Sequence, residues 1–121
     1  MNYDISINSL YICVKDMKRA IKFYENIFNQ TVSKKDTILS VFNIKNFRFC
    51  LFANEQVNES VKYGDNCLPS FEVNNISLFV EKLKSLKIEI VFPLTTINNN
   101  CVLEFKDSEG NDIEVYSKFT L

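Results

Sequence analysis

An internal repeat constrains the fold of this chain more than any other sequence feature. Shifting the sequence by 59 positions places Val14 on Val73 and Asp16 on Asn75. Near the C-terminus the offset grows to 64, which indicates a slightly longer loop in the second copy. The chain is therefore predicted to build one supersecondary module twice. The first offset also aligns Met17 with Ile76, Ile21 with Val80, Tyr24 with Leu83, Ile27 with Leu86 and Val32 with Val91.

The first copy has the pattern of a strand, a helix and then further strands. Residues 9–14 alternate between two kinds of side chain with the period of a strand. Asp16 is placed to cap a helix whose apolar stripe runs from Met17 to Phe28 and stops at Asn29-Gln30. The strands predicted next are a short one near Thr31–Ser33, then Thr37–Ile44, a turn at Lys45-Asn46, and Phe47–Ala53.

The second copy repeats this order after a polar connector at Asn54–Asn66. Asn75 is placed to cap a second helix with an apolar stripe from Ile76 to Leu86. The strands predicted there are Ile88–Phe92, Val102–Lys106 and Asp112–Ser117, with a loop at Pro93–Asn100 and a turn at Asp107–Asn111. The predicted fold class is α+β, with two βαβββ modules in a single domain of residues 1–121. Module one spans about 5–53, the connector 54–66, and module two about 67–118.

Composition excludes several classes of function. A chain of 121 residues with 46% hydrophobic and 24% charged residues is typical of a globular domain. Fourteen basic and fifteen acidic side chains leave a net charge of −1, so we expect no nucleic-acid partner and no membrane partner. The sequence shows no signal-like or membrane-spanning apolar run, which predicts a soluble, cytoplasmic protein. Its four cysteines are widely spaced and are expected to stay reduced there.

The sequence contains no histidine. This removes the most common general base and the most common metal ligand. With two glycines in all, it also has no glycine-rich phosphate loop.

Two stretches carry a resemblance to a known family. Val14-Lys15-Asp16-Met17 is followed by Phe23-Tyr24, and Phe105-Lys106-Asp107-Ser108-Glu109-Gly110-Asn111-Asp112-Ile113-Glu114-Val115 lies near the C-terminus. With the duplication, they resemble the glyoxalase / bleomycin-resistance / extradiol-dioxygenase (vicinal oxygen chelate) superfamily over nearly the whole chain. The resemblance implies curved mixed sheets that form a concave cup, helices on the outer face, and a homodimer.

The same resemblance implies four positions for the family's metal ligands, typically His, His and Glu. They fall on Ser9, Cys50, Leu68 and Glu114, and only Glu114 matches the pattern. Leucine has no donor atom, and a neutral serine hydroxyl is a poor substitute for imidazole. A one-residue slip would bring Cys67 in place of Leu68, although an inert core thiol is the favoured interpretation because a slip turns every neighbour to the wrong face. We therefore expect no cofactor and no divalent metal.

Strand alternation predicts the lining of the cup. If Leu10, Ile12 and Val14 pack under the helix, the intervening residues and their repeat mates face the ligand. Such a lining suits a ligand with an apolar or aromatic body and a few polar groups. The predicted site residues are Ser9, Tyr11, Arg48, Cys50, Phe52, Leu68, Ser70, Glu72, Asp112, Glu114 and Tyr116.

Several of these residues keep two interpretations. Arg48 can bind a carboxylate or phosphate of the ligand, or form an internal ion pair with the acidic side chains of the cup. Tyr11 and Tyr116 can stack on a ligand ring or fill the space of a missing metal centre. Glu114 is the one candidate catalytic residue, as a base, but lacks an evident orienting partner.

Two functions follow from different classes. The first is a small-molecule-binding protein that sequesters its ligand, similar to the antibiotic-binding members of the family, with antibiotic resistance as a biological role. The alternative is a lyase, isomerase or dioxygenase-like enzyme with Glu114 as metal ligand or base, or with Glu72 as base. A third hypothesis is a structural or regulatory dimer whose pocket has collapsed.

Overall fold

The computed structural model describes residues 3–118, and the ends of the predicted 1–121 domain lie outside them. The chain separates into two compact units between Lys62 and Tyr63. This boundary falls inside the predicted connector, which begins with a short 3-10 helix at Asn54–Val57. The fold class is α+β, and the pattern of two βαβββ modules fits.

The first unit is a three-stranded mixed sheet with one helix. Its elements are β1 (Leu10–Cys13), α1 (Met17–Phe28), β2 (Leu39–Ile44) and β3 (Phe47–Phe52). The strand order is β1-β3-β2, with β1 parallel to β3 and β2 antiparallel to it. Helix α1 packs on the sheet through an aromatic cluster. The ring centroids of Tyr24 and Phe49 are 5.1 Å apart, and those of Phe28 and Phe42 are 5.3 Å apart.

The strand predicted near Thr31–Ser33 is reduced to a single bridge between Lys34 and Val41. Side chains occupy the backbone groups that a longer ladder would use. Glu25 accepts the N–H of Val32 at 2.9 Å, and the hydroxyl of Ser33 accepts the N–H of Asn43 at 2.8 Å. These local bonds compete with strand pairing, which explains the difference from the prediction.

The second unit has the complete βαβββ order. Its elements are β4 (Ser70–Glu72), α2 (Ile76–Ser85), β5 (Ile90–Ile97), β6 (Asn100–Lys106) and β7 (Asp112–Lys118). The strand order is β4-β7-β6-β5, with β4 parallel to β7 and the other pairs antiparallel. Phe79 of α2 packs against Phe105 of β6, with ring centroids 5.6 Å apart.

Both helices begin at the predicted caps. Asp16 accepts the N–H of Arg19 at 3.1 Å, and Asn75 accepts the N–H of Leu78 at 3.2 Å. Helix α1 ends at Phe28 and is capped by Asn29, whose φ of 55° is left-handed. Among residues 3–118, no helix is long and apolar enough to cross a bilayer.

The prediction of a loop at Pro93–Asn100 is wrong, because β5 continues through Pro93 to Ile97 and β6 begins at Asn100. The connection is a two-residue hairpin turn of Asn98 and Asn99, with φ values of 48° and 67°. Asparagine tolerates these left-handed angles. Proline is accommodated because β5 is an edge strand whose register shifts on either side of Phe92.

The predicted turns at Lys45-Asn46 and Asp107–Asn111 are both present. Lys45 and Asn46 have φ values of 44° and 69°, the left-handed pair of a tight hairpin. In the other turn, Asp107 Oδ1 accepts the N–H groups of Glu109 at 2.8 Å and Asn111 at 2.9 Å.

Candidate functional site

Each sheet turns one face toward its own helix, and we call the opposite face its far face. In the first sheet Phe42 and Phe49 contact α1, so residues of alternate parity lie on the far face. In the second sheet Phe105 contacts α2, which places Glu104 and its neighbours of the same parity on the far face. The predicted site residues divide between these two faces, and we describe each unit by itself.

On the first far face, Arg48, Ser9 and Cys50 form a small polar group. Arg48 Nη1 donates to the hydroxyl of Ser9 at 3.3 Å. Cys50 is fully buried, and burial raises the pKa of its thiol, outweighing the opposing effects of the Arg48 charge and a hydrogen bond with Ser9. In the absence of a bound cation, the thiol is therefore protonated near neutral pH.

Beside this group lies an aromatic pair, Tyr11 and Phe52. Their ring centroids are 6.1 Å apart with planes tilted by 52°. Tyr11 is 50% exposed, so its ring retains surface available to a ligand. Cys13, opposite Phe52 in the parallel register, is a reduced cysteine whose thiol pKa is raised by burial and then by the nearby Glu59 charge.

The second far face is acidic. Glu104 and Glu114 lie directly opposite each other on β6 and β7. Burial raises the pKa of Glu104, and the charges of Asp112, Glu114 and Asp65 raise it further. Glu114 accepts a hydrogen bond from the hydroxyl of Ser70, its partner in the parallel register with β4. The raised pKa lets Glu104 hold a proton more readily than an exposed glutamate does, and the side chain opposite it accepts a hydrogen bond from Ser70.

Other polar groups on this face are paired within the second unit. Lys106 Nζ lies 2.7 Å from Asp112 Oδ1, and only 5% of the Asp112 side chain is exposed. The hydrogen bond to Asp112 is the main cause that raises the pKa of Lys106. The Tyr116 hydroxyl donates to Glu72 Oε1 at 3.2 Å, and this bond is the main cause of its raised pKa.

Sequence reasoning missed Glu104 and Lys106 as site residues. Both lie on β6, a strand that was predicted with nearly the right bounds. The alternation that places Phe105 under the helix also places its two neighbours on the far face. The alternation along β6 in the sequence is therefore the signal that indicates both residues.

The four metal positions do not fit a metal ion. Leu68 lies two residues before β4, is 38% exposed and has no donor atom. Ser9 and Cys50 belong to the first unit and supply a neutral hydroxyl and a buried thiol. Glu114 supplies a carboxylate already bonded to Ser70. Within the described part of the chain, no group of three or more His, Cys, Asp or Glu side chains is placed to hold a metal ion.

Comparison with known proteins identifies a family. The model of the Glyoxalase/Bleomycin resistance protein/Dioxygenase superfamily matches residues 6–115. A search of curated protein sequences finds no match.

Solved structures share the fold at low sequence identity. A lactoylglutathione lyase from Agrobacterium tumefaciens is 17% identical with a TM-score of 0.76, covering 96% of each chain. The fosfomycin resistance protein FosX from Listeria monocytogenes is 20% identical with a TM-score of 0.74, covering 100% of this chain and 97% of its own. A glyoxalase-related enzyme from Fulvimarina pelagi is 12% identical with a TM-score of 0.78, covering 93% of this chain and 88% of its own. At these identities the likeness concerns the fold alone.

Proposed function

This chain belongs to the glyoxalase/bleomycin resistance protein/dioxygenase superfamily, and from that membership we propose that it binds a small molecule without a catalytic metal. The observation that carries the proposal is the donor set at the four metal positions. A hydroxyl, a buried thiol, an alkyl group and one carboxylate offer a single anionic ligand, too few for the tetrahedral or octahedral sites of divalent cations. On this proposal, the chain keeps the fold and does not activate its ligand through a metal.

The first far face supports a ligand with a ring and an anionic group. Arg48 uses one of its five N–H donors on Ser9 within the first unit. A carboxylate or phosphate is the group that its planar fork recognises best. The half-exposed ring of Tyr11 next to Phe52 provides an apolar surface for the rest of the ligand. The role that fits is sequestration of such a molecule, and antibiotic resistance is the biological setting we propose.

The second far face offers hydrogen-bond acceptors in place of a metal. The Glu104–Glu114 pair and the Glu72–Tyr116 pair line this face. These groups suit the hydroxyl or amino substituents of a ligand, which donate hydrogen bonds to carboxylates. We also propose that the protein is a cytoplasmic homodimer, with neither nucleic acid nor membrane as a partner, since its net charge of −1 provides no attraction to either.

Metal analysis tests the proposal most directly. Protein purified without chelator is measured for bound metal by mass spectrometry, and its thermal unfolding is followed with added Mn²⁺, Ni²⁺, Zn²⁺ and Fe²⁺. We expect no stoichiometric metal and no rise in Tm, because a ligand that binds only the folded state would raise it. One equivalent of bound metal would refute the proposal.

A second candidate function is metal-free acid–base catalysis, with Glu114 as base and Glu104 as proton holder. The raised pKa of Glu104 favours it, because a carboxyl group with a pKa shifted toward neutrality can both donate and accept a proton. Lyase and isomerase substrates are screened with the native chain, the Glu114→Gln variant and a control, Glu81→Gln, on the exposed surface of α2. Turnover that Glu114→Gln abolishes and the control retains would favour catalysis over sequestration.

A further inference from the structure

Ser9 links the start of the first sheet to the guanidinium group of Arg48. It directly precedes β1, whose parallel register with β3 begins at the pair of Leu10 and Phe49. Continued by one residue, this register brings Ser9 beside Arg48 on the far face. Arg48 Nη1 donates to the Ser9 hydroxyl at 3.3 Å, so the sheet joins two side chains that are 39 positions apart in the sequence.

The Ser9 hydroxyl is itself held by a second hydrogen bond, with the thiol of Cys50. Cys50 lies on the central strand β3 and is fully buried, which makes its sulfur a fixed point of the sheet. Burial raises the pKa of this thiol, whereas the charge of Arg48 and the bond with Ser9 act to lower it. A bond that favours the thiolate is one in which the hydroxyl donates and the sulfur accepts. Because a hydroxyl has one proton, the lone pairs of Ser9 remain for Arg48.

The other cross-strand neighbour of Arg48 offers no such contact. Asn43 lies opposite Arg48 in the antiparallel register of β2 with β3, and its side chain is exposed. Among residues 3–62, the Ser9 hydroxyl is the hydrogen-bond partner of the Arg48 side chain, and no carboxylate forms an ion pair with it. Within the first unit, the orientation of the guanidinium group therefore depends on Ser9.

A guanidinium group held on one side is suited to bind an anion on the other. An arginine side chain loses rotamer freedom when a ligand fixes it, and a bond that is made before binding reduces this cost. Within the first unit, the bond of Nη1 to Ser9 leaves Nη2 and Nε as a planar fork. Such a fork binds a carboxylate or phosphate through two parallel hydrogen bonds.

We propose that Ser9 is a positioning residue, which holds Arg48 so that its Nη2–Nε edge faces the anionic group of the ligand. The inference rests on the proposed binding of an anionic ligand by Arg48 and adds what orients the arginine. Ser9 stands at one of the positions that correspond to the family's metal ligands. A neutral hydroxyl is a poor ligand for a divalent cation, but it is a good acceptor for the N–H group of a guanidinium.

Binding of two probes, benzoate and phenyl phosphate, tests the proposal in the variants Ser9→Ala and Ser9→Thr. Calorimetric titration measures the dissociation constant. We expect Ser9→Ala to raise it about threefold to tenfold, and Ser9→Thr, which keeps the hydroxyl, to restore it. In the Arg48→Ala background, Ser9→Ala should have no further effect, because the group that it positions is gone. The matched control is Asn43→Ala, which should leave the dissociation constant unchanged.

Nuclear magnetic relaxation of the arginine Nε groups gives a second readout that needs no ligand. The chain has two arginines, and Arg19, which is exposed on α1, serves as an internal reference. The order parameter of Arg48 Nε should fall in Ser9→Ala and recover in Ser9→Thr, while that of Arg19 stays constant. Thermal unfolding shows that each variant remains folded.

The outcomes separate this inference from the proposed function. Probe binding that Arg48→Ala abolishes and Ser9→Ala leaves unchanged would overturn the positioning role alone. The same follows if Ser9→Ala does not lower the order parameter of Arg48, or if it weakens binding equally with and without Arg48. Failure of the native chain to bind either probe would overturn the anionic ligand, and with it the inference that rests on it.

Discussion

Glu104 and Glu114 face each other across antiparallel strands β6 and β7, so two carboxyl groups lie side by side on the far face of the second sheet. Like charges directly opposite on a sheet destabilise it. The structure moderates this repulsion in two ways. Burial and the surrounding acidic charges raise the pKa of Glu104, and Ser70 donates a hydrogen bond to Glu114. The pair therefore lowers the stability of the sheet, as is common at functional sites.

Glu104→Gln should therefore stabilise the protein at neutral pH. The folded pKa of Glu104 is raised, so as pH increases above the ordinary glutamate value of about 4.3 the unfolded chain releases its proton first. The free energy of unfolding falls with pH until the folded group has also ionised. Glutamine does not ionise, so the free energy of unfolding of the variant does not fall in this way. We expect a gain of roughly 0.2–1 kcal/mol at pH 7, the range for cross-strand pairs, and none at pH 4.

Urea unfolding at both pH values measures this difference. Glu81→Gln on exposed α2 controls for the loss of one negative charge from the chain. An equal gain at pH 4 and pH 7, or the same gain in the control, would contradict the assignment of repulsion to this pair.

Lys106→Met should destabilise the second unit strongly. It removes the ammonium group 2.7 Å from the buried Asp112 carboxylate and leaves that charge without its partner. The cost is about 2–3 kcal/mol. Because the pKa of Lys106 is raised in the folded state, its contribution is complete below the ordinary lysine pKa of about 10.4 and is lost as pH rises through the folded value.

The free energy of unfolding, measured from pH 7 to pH 11, should therefore differ less between the variant and the native chain at the alkaline end. The double variant Lys106→Met/Asp112→Asn provides the control, since it removes the orphaned charge as well. If the double variant is no more stable than Lys106→Met alone, the loss does not arise from the buried carboxylate.

The elements predicted correctly depend on local chemistry. Asp16 and Asn75 stand directly before apolar stripes, and both accept the hydrogen bonds expected of helix caps. The predicted turn at Lys45-Asn46 is confirmed, and the left-handed angles of both residues are those of a tight hairpin. Each of these elements is determined by residues within a few positions of one another in the sequence.

The elements predicted wrongly depend on non-local pairing. Pro93 suggested a loop, yet it lies inside β5 because the strand is at the edge of its sheet, a fact that only the strand order reveals. Likewise, the contact between Ser70 and Glu114 joins residues 44 positions apart. The parallel register of β4 with β7 brings them together, and no local pattern sets that register.

Arg48→Ala should weaken the binding of an anionic ligand and have little effect on folding. Among residues 3–62 the Arg48 side chain makes one hydrogen bond, at 3.3 Å to Ser9, so its removal should cost no more than about 1 kcal/mol of stability. Loss of a charge-assisted contact with a ligand carboxylate or phosphate should reduce affinity roughly tenfold or more. Thermal-shift screening of aromatic carboxylates and phosphates, followed by calorimetry, measures the affinity.

Arg48→Lys is the matched variant for this prediction, because it keeps the charge and loses the planar fork. Partial recovery of affinity would indicate recognition by charge, and no recovery would indicate the fork. A large destabilisation of Arg48→Ala with unchanged binding would instead favour the internal ion pair that the sequence left open.

Asn99→Val should destabilise the hairpin between β5 and β6. Asn99 has a φ of 67°, and a β-branched residue is strained there by about 1–2 kcal/mol. Asn99→Gly is the control, since glycine adopts this angle freely and should leave stability unchanged or slightly improved. Chemical unfolding of the three proteins separates the two arrangements of residues 93–100, because a flexible loop would accept valine at almost no cost whereas a two-residue turn at a fixed register cannot.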